Sequence, residues 1–495
     1  MKCVRVSLPL VSAAFSIMAN LCLSFGAHAA VEDTMPIRLR PPVSGAISKR
    51  FTIEQAVATA TTNYPQILQR LEQVEAARSA VTLQKLREYT PDALATWEDV
   101  AATHNKLTQI LFGNPVLPPN PGPGLDPEKQ TFHGSFFSGS GFLFDWTPLD
   151  FGLHRARITE SKATLTQVRS HLVVTQLDVA ENAAMSFLAV VTLQEQVRAQ
   201  EANVHRMQIV RDTVRGLVES GLKPGVDLSI ADAQLADSRN GLIEATQQLK
   251  ISYARLAAAV GEPDVLVEID PQPVEQKTQP PVLTVTLPDY SAHPLALAQR
   301  SAIGVLQAHN TVISKSNYPV IHWLGGMNFR GAGLDTKGHW QAKDAYGLLP
   351  TVTNWNVGVM ATWNFLDWVK NHQELKVQAH RIASEQYGYR QIIQNLSEQN
   401  REATAMIEGA VALAENAPIQ VHAATDAELR ARTRYETGLA NIAEVAEAER
   451  LLTRAQVQMA IARVGVWKAL LAYSNTRGSI NPFLQQIASA RQEGM

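Results

Sequence analysis

The sequence predicts an α+β membrane protein in which very long helices dominate and a few strands of membrane-spanning length complete the fold. Three observations lead there. Residues 153 to 220 contain no proline and carry apolar side chains at three-four spacing. Residues 354 to 365 alternate polar and apolar with period two. And the plan is written twice: Trp146-Thr147-Pro148-Leu149-Asp150-Phe151 matches Trp363-Asn364-Phe365-Leu366-Asp367-Trp368, about 217 positions on.

The start of the chain reads as a secretory signal over residues 1–29. Lys2 and Arg5 give a basic end, Leu8 to Phe25 is mostly apolar, and Ala27-His28-Ala29 suits a signal peptidase. The apolar run is short for a spanning anchor. Cys3 and Cys22 both fall inside this segment, so the mature chain is expected to hold no disulfide frame and no cysteine metal site. A lipid anchor at Cys22 stays open, although Ala19-Asn20-Leu21 fits a lipobox poorly. A formal net charge of −2 over 495 residues argues against nucleic-acid binding by bulk electrostatics.

After a segment at 30–50, the first repeat occupies 51–261, a proline-rich linker 262–288, the second repeat 289–478 and a polar, unstructured tail 479–495. Each repeat reads as helix, strand, loop, strand, very long helix, turn, long helix. Residues 51 to 89 are helical, with a break near Pro65. Asn63-Tyr64-Pro65 corresponds to Ala292-His293-Pro294, and Pro91 to Pro319. In the first long helix, Val190, Leu193, Val197, Val204, Met207, Val214 and Leu217 make one stripe, over a length of roughly 100 Å. Its counterpart at 370–437 carries Pro418, which should kink or interrupt it. The 217-residue offset also places Gly221-Leu222 on Gly438-Leu439, Asp227 on Glu444 and Ala231 on Ala448.

Trp355, Val357, Val359, Ala361, Trp363 and Phe365 share one strand face, and Asn354, Asn356, Gly358, Thr362 and Asn364 the other, with Met360 the apolar exception. Residues 320 to 330 alternate too, with Ile321, Trp323, Met327 and Phe329 opposite His322, Asn328 and Arg330. In the first repeat Phe132, Phe136, Phe142, Phe144 and Trp146 share a face, while 92–104 alternates poorly. Taken alone, this pattern fits a soluble sandwich equally well. Residues 107 to 130, with Pro115, Pro118, Pro119, Pro121 and Pro123, suit an exposed loop, and 332–350 is its counterpart. Four strands cannot close a barrel, and an open edge cannot sit in lipid, so more than one chain must combine. The physics does not by itself choose three.

Together these pieces resemble the TolC-type outer membrane efflux and secretion channels, from Phe51 to about Gly478. Phe51-Thr52-Ile53-Glu54-Gln55-Ala56 with Asn63-Tyr64-Pro65 looks like that family's first helix. Tyr435-Glu436-Thr437-Gly438-Leu439 running into Glu444-Val445, Ala448 and Arg450 resembles its periplasmic-tip turn, as does Gly221-Leu222 through Asp227 and Ala231. The resemblance implies a homotrimer, with twelve strands in one outer-membrane β-barrel and twelve helices in a coiled-coil tunnel gated at its periplasmic tip. It implies partners too: outer membrane lipid, a periplasmic adaptor and an inner-membrane transporter. By position, the family's acidic tip residues fall on Asp227, Glu444 and Glu447, and Tyr435 stands where the family has a latch tyrosine. Ala440 replaces a basic latch residue, which weakens an ionic lock.

No phosphate-binding loop, no helical His-Glu-x-x-His and no serine elbow is present, so no cofactor, metal or catalytic site is expected. His372 stands alone between Asn371 and Gln373. Drug, metabolite, metal and protein cargo are not separable from sequence. The alternative is a periplasmic helical adaptor or interaction protein without a pore, which explains the signal and the helices but explains the Trp355–Phe365 alternation less well.

Overall fold

The computed structural model describes residues 48–103, 134–272, 274, 289–333 and 347–493. The expected signal segment, the proline-rich loop, Phe132 and most of the linker lie outside them. The chain runs through β1 (Ser48–Phe51), α1 (Ile53–Asn63), α2 (Pro65–Tyr89), β2 (Asp92–Thr103), β3 (Gly134–Leu149), α3 (Leu153–Glu219) and α4 (Gly225–Val260). Then come β4 (Leu266–Ile269), a 3₁₀ turn at Tyr290–Ala292, α5 (Pro294–Lys315), β5 (Val320–Ala332), β6 (Val352–Thr362), α6 (Asp367–Glu436), α7 (Ile442–Asn475) and α8 (Asn481–Glu493).

Local chemistry explains the breaks. Thr52 opens α1 with a capping box: its hydroxyl accepts from the Gln55 N–H at 3.3 Å, and the Gln55 side chain accepts from the Thr52 N–H at 3.1 Å. A residue before proline is pushed out of the helical region, so Tyr64 and His293 are both extended, and Pro65 and Pro294 begin the next helices, where a missing N–H costs nothing. Pro91 and Pro319 precede β2 and β5.

Strands β2-β3-β5-β6 form one antiparallel sheet in that order. Its registers put Phe142, Met327 and Trp355 abreast on one face and Gly141, Asn328 and Asn354 abreast on the other. The poorly alternating β2 is a full strand, held in register by twelve pairings with β3. β6 ends at Thr362, so Trp363 and Phe365 lie just past it, and the Trp363 indole donates to the Asn317 carbonyl at 3.0 Å. At the exit of β3, Phe151 holds a left-handed backbone (φ 53) and stacks on Tyr318 of the other repeat.

Three features depart from the sequence reading. The stretch taken as linker contains β4, which pairs in parallel with β1, Ser48 against Leu266 through Phe51 against Ile269. Val267 and Ile269 turn inward while Leu266 faces out, enough to anchor four residues amid prolines. The tail expected to be unstructured is the helix α8, because Phe483 and Ile487, both fully buried, dock it on the main core. And α6 runs through Pro418 without a break. One ladder bond is lost there, but Ala414 and Ala417 before the proline stay packed against Ala462 and Val466 of α7, and Ala424 after it against Leu452 and Ala455.

The main core gathers where the short elements meet the long helices. Phe187 and Leu188 of α3, Leu256 of α4, Leu470 and Leu471 of α7 and Phe483 of α8 lie within it. Beyond it, α6 and α7 share narrow alanine-rich seams, such as Ala424 with Leu452 and Ala455. Among the described residues no helix is long and apolar enough to cross a membrane.

His293 locks the start of the second repeat to the end of α7. Its Nδ1 accepts the Leu295 N–H at 3.2 Å, which leaves Nε2–H to donate to the Asn475 carbonyl at 3.1 Å, so the ring is neutral. Burial pushes its pKa down, against weaker opposing effects of the Asn475 bond and Asp178. The native state thus prefers the unprotonated ring, and its contribution is present above the ordinary histidine value of about 6.5 and is lost as pH falls below it. Burial raises the neighbouring Asp178 and Glu181, which carry the opposite sign. Thermal unfolding of the detergent-solubilised protein should lose midpoint temperature below about pH 6.5. His293→Asn, which keeps a capping acceptor, should flatten that loss; identical pH profiles would refute the assignment.

Candidate functional site at the helix tips

The two helix-to-helix turns, α3 to α4 and α6 to α7, are built alike. Gly221 and Gly438 take left-handed φ values of 73° and 79°, a conformation open to glycine without cost. The next residue's N–H then reaches back into the helix: Leu222 to the Leu217 carbonyl at 2.9 Å, and Leu439 to the Arg434 carbonyl at 2.7 Å. The side chains of Leu222 and Leu439 are thrust outward, each 71% exposed.

Below these turns the four helix ends close on one cluster. Met207, Val210 and Val214 of α3 meet Ala231 and Leu235 of α4, Tyr435 of α6, and Ile442 and Val445 of α7. Tyr435 is 2% exposed, its hydroxyl donates to Asp227 Oδ2 at 3.1 Å, and the Lys223 ammonium sits 4.6 Å above its ring. Burial first, then the bond to Asp227 and that carboxylate's charge, push the phenol up to about 12. A raised phenol contributes stability that is present below the ordinary value of about 10 and is lost as pH rises through about 12. The bond therefore holds across the physiological range and joins α4 of the first repeat to α6 of the second.

The structure thus brings together two of the expected residues, Asp227 and Tyr435, and leaves the other two apart. Glu444 stands exposed in the first turn of α7, where the helix dipole favours a carboxylate, and its N–H is capped by Asn441 Oδ1 at 2.9 Å. Glu447 is also exposed and pairs at 3.6 Å with Arg450, a contact worth little in water. The sequence reading missed a buried polar contact higher on the same helices, Arg206 Nε to Glu449 Oε2 at 2.7 Å. A signal for it existed: Glu449 sits between Val445 and Leu452 in the buried stripe of α7, where an apolar side chain belongs.

The family model "outer membrane efflux protein" matches residues 141–262 and 332–472 of the chain. No curated protein matches it by sequence. Among solved structures, the outer membrane protein VceC of Vibrio cholerae is 15% identical, with a TM-score of 0.66 over 86% of this chain and 96% of that one. The Campylobacter jejuni CmeC outer membrane channel gives 13% and 0.66 over 89% of each chain. The open state of the Neisseria gonorrhoeae MtrE outer membrane channel gives 14% and 0.65 over 86% of this chain and 89% of that one. Such likenesses speak for the fold.

Removing the hydroxyl tests the tip bond directly. An ultraviolet titration of wild type minus Tyr435→Phe should isolate one phenol ionising near 12, and Asp227→Ala should bring it down toward the ordinary value. A phenol that titrates normally in the wild type would refute the arrangement.

Proposed function

This chain belongs to the outer membrane efflux protein family, and we propose on that premise that three copies close one channel through the outer membrane. In this reading α3, α4, α6 and α7 continue the channel as a tunnel into the periplasm, and the assembly is the exit duct of a tripartite efflux or type I secretion system. A periplasmic adaptor and an inner-membrane transporter supply the energy; the duct itself is a passive conduit.

The observation that carries the reading is the open sheet. β2 and β6 are its two edges, and every residue of β6 is exposed in the single chain, Val357 to 80%. β2 runs toward the loop end and β6 returns from it, so the β6 of one copy can pair antiparallel with the β2 of the next. Every junction then repeats the pattern inside the sheet, and the ring closes with no edge left over. Three four-stranded sheets leave room for a pore, where two would fill their interior with side chains. The face with Phe142, Phe144, Met327, Trp355 and Val357 meets lipid, and the face with Asn328, Asn354 and Asn356 lines water.

At the tip, the Tyr435–Asp227 bond is read as a gate latch, because it ties α6 to α4 where the tunnel narrows. Glu444 and Glu447, exposed in the single chain, become rings of three carboxylates that favour cations. The turns at Gly221-Leu222 and Gly438-Leu439 present the adaptor-facing end.

Light scattering on protein extracted from outer membranes in mild detergent should give the mass of three chains. A monomer that stays soluble without detergent would remove the barrel and the channel. In planar bilayers, Glu444→Gln/Glu447→Gln channels should lose cation preference in a salt gradient, and an unchanged reversal potential would clear both residues of that role.

A further inference from the structure

About a dozen residues behind the tip turns, three ionisable side chains from three helices meet, two carboxyls buried and one arginine half-buried. Arg206 of α3 donates from Nε to Glu449 Oε2 at 2.7 Å, and from Nη2 to Thr453 Oγ1 at 3.1 Å and Gln456 Oε1 at 3.5 Å. Glu449 of α7 is 1% exposed and its second oxygen receives no N–H or hydroxyl donor. Glu428 of α6, also buried, has its carboxyl within hydrogen-bonding reach of Glu449. Burial favours the protonated form of Glu449, and a proton on that second oxygen can donate to the Glu428 carboxylate. With Arg206, the set is then neutral.

The internal duplication supports this pairing independently. The 217-residue offset that relates the tip turns maps Glu428 onto Arg211 and Glu449 onto Asp232. In the first repeat those two positions form a plain, exposed ion pair, Arg211 Nε to Asp232 Oδ1 at 2.9 Å. In the second repeat the arginine has become a carboxyl, so the pair no longer neutralises itself. Its compensating charge comes from the other repeat, through Arg206.

We propose that Arg206, Glu428 and Glu449 form a second gate latch, a proton-sharing brace that ties α3 of the first repeat to α6 and α7 of the second behind the Tyr435–Asp227 bond. The proposal rests on the channel reading above. Any opening that swings α6 and α7 away from α3 has to break the Arg206 bonds. Neighbouring arginines are engaged elsewhere, on α6 Arg432 by Glu436 and on α3 Arg211 by Asp212 and Asp232, and Thr453 and Gln456 on α7 are neutral. Burial is the main cause that raises Glu449, against the lowering pull of Arg206. A raised carboxyl favours the native arrangement below the ordinary carboxylate range and loses that advantage as pH rises through its own value. The brace is therefore tight in mild acid and loosens as the shared proton leaves.

The test is the resting conductance of the full-length channel in planar bilayers across pH. Wild-type conductance should rise with pH as Glu449 deprotonates. Arg206→Met should raise it at every pH, on the order of tenfold, since removing one member of a buried ion pair strongly destabilises the arrangement that contains it. Glu428→Gln, whose amide donates to Glu449 without needing a shared proton, should stay as closed as wild type in acid and show no rise with pH. Tyr435→Phe, which touches only the outer latch, should keep the wild-type slope. Light scattering on each variant confirms that the oligomer is intact. A Glu428→Gln channel with the wild-type pH slope, or an intact Arg206→Met channel with wild-type conductance, would overturn the brace and leave the channel standing. A wild type that forms no channel would overturn the channel reading itself.

Discussion

An unpaired strand edge cannot rest in hydrocarbon, and most of this architecture follows from that. With β2 and β6 at the margins of a four-stranded sheet, two rows of backbone donors and acceptors lack partners in the single chain. Closure with other copies satisfies them, and closure also places the helices. Only the turn at Asp150-Phe151-Gly152 separates β3 from α3, and β6 passes into α6 within a few residues. A ring of strands thus imposes a ring of helices beneath it. Phe151 sits at that joint in a left-handed backbone, a strain of about 1–2 kcal/mol for a side chain of this kind. Its stacking on Tyr318 offsets part of that cost and ties the first repeat's joint to the second repeat.

What could be read from the sequence was whatever repeats at short range. Helix and strand periodicities, the prolines before α2 and α5 and the glycine turns are local, and the duplication stated most of them twice. What escaped was non-local or quantitatively slight. Nothing in Leu266–Ile269 points to a partner strand more than two hundred residues earlier. α8 is mostly polar, and two buried side chains, Phe483 and Ile487, decide its docking. Pro418 does not interrupt α6, because a lost ladder bond is a local cost while the alanine contacts that outweigh it lie on another helix. At the tip, the resemblance placed Asp227 and Tyr435 on neighbouring turns, but that they touch each other follows only from how the ends of α4 and α6 meet.

The long helices are held by thin cores. Seams such as Ala414 and Ala417 against Ala462 let backbones approach closely but bury little surface per residue. Such seams resist separation weakly and evenly along their length, so the few buried polar contacts set where the helices part and where they hold. His293 against Asn475 fixes the end near the main core, and the bonds of Tyr435 and Arg206 fix the far end.

The two repeats differ most where they are held together. The offset that maps Asp227 onto Glu444 maps Tyr435 onto Val218. Asp227 therefore has a phenol to accept from, while the reciprocal position offers Glu444 only a valine, and Glu444 stays in solvent. The same offset turns the exposed Arg211–Asp232 pair into the buried Glu428–Glu449 pair and replaces Arg206 by Ala423. Were the repeats alike, each of these bonds would have a mirror-image twin. Near the tip the asymmetry leaves two bonds between the repeats, Tyr435 to Asp227 and Arg206 to Glu449, and the offset counterparts Val218 and Ala423 carry no polar side chain to repeat them. Separating the second repeat's helix pair from the first therefore breaks both bonds, and the divergence of the two halves is what supplies them.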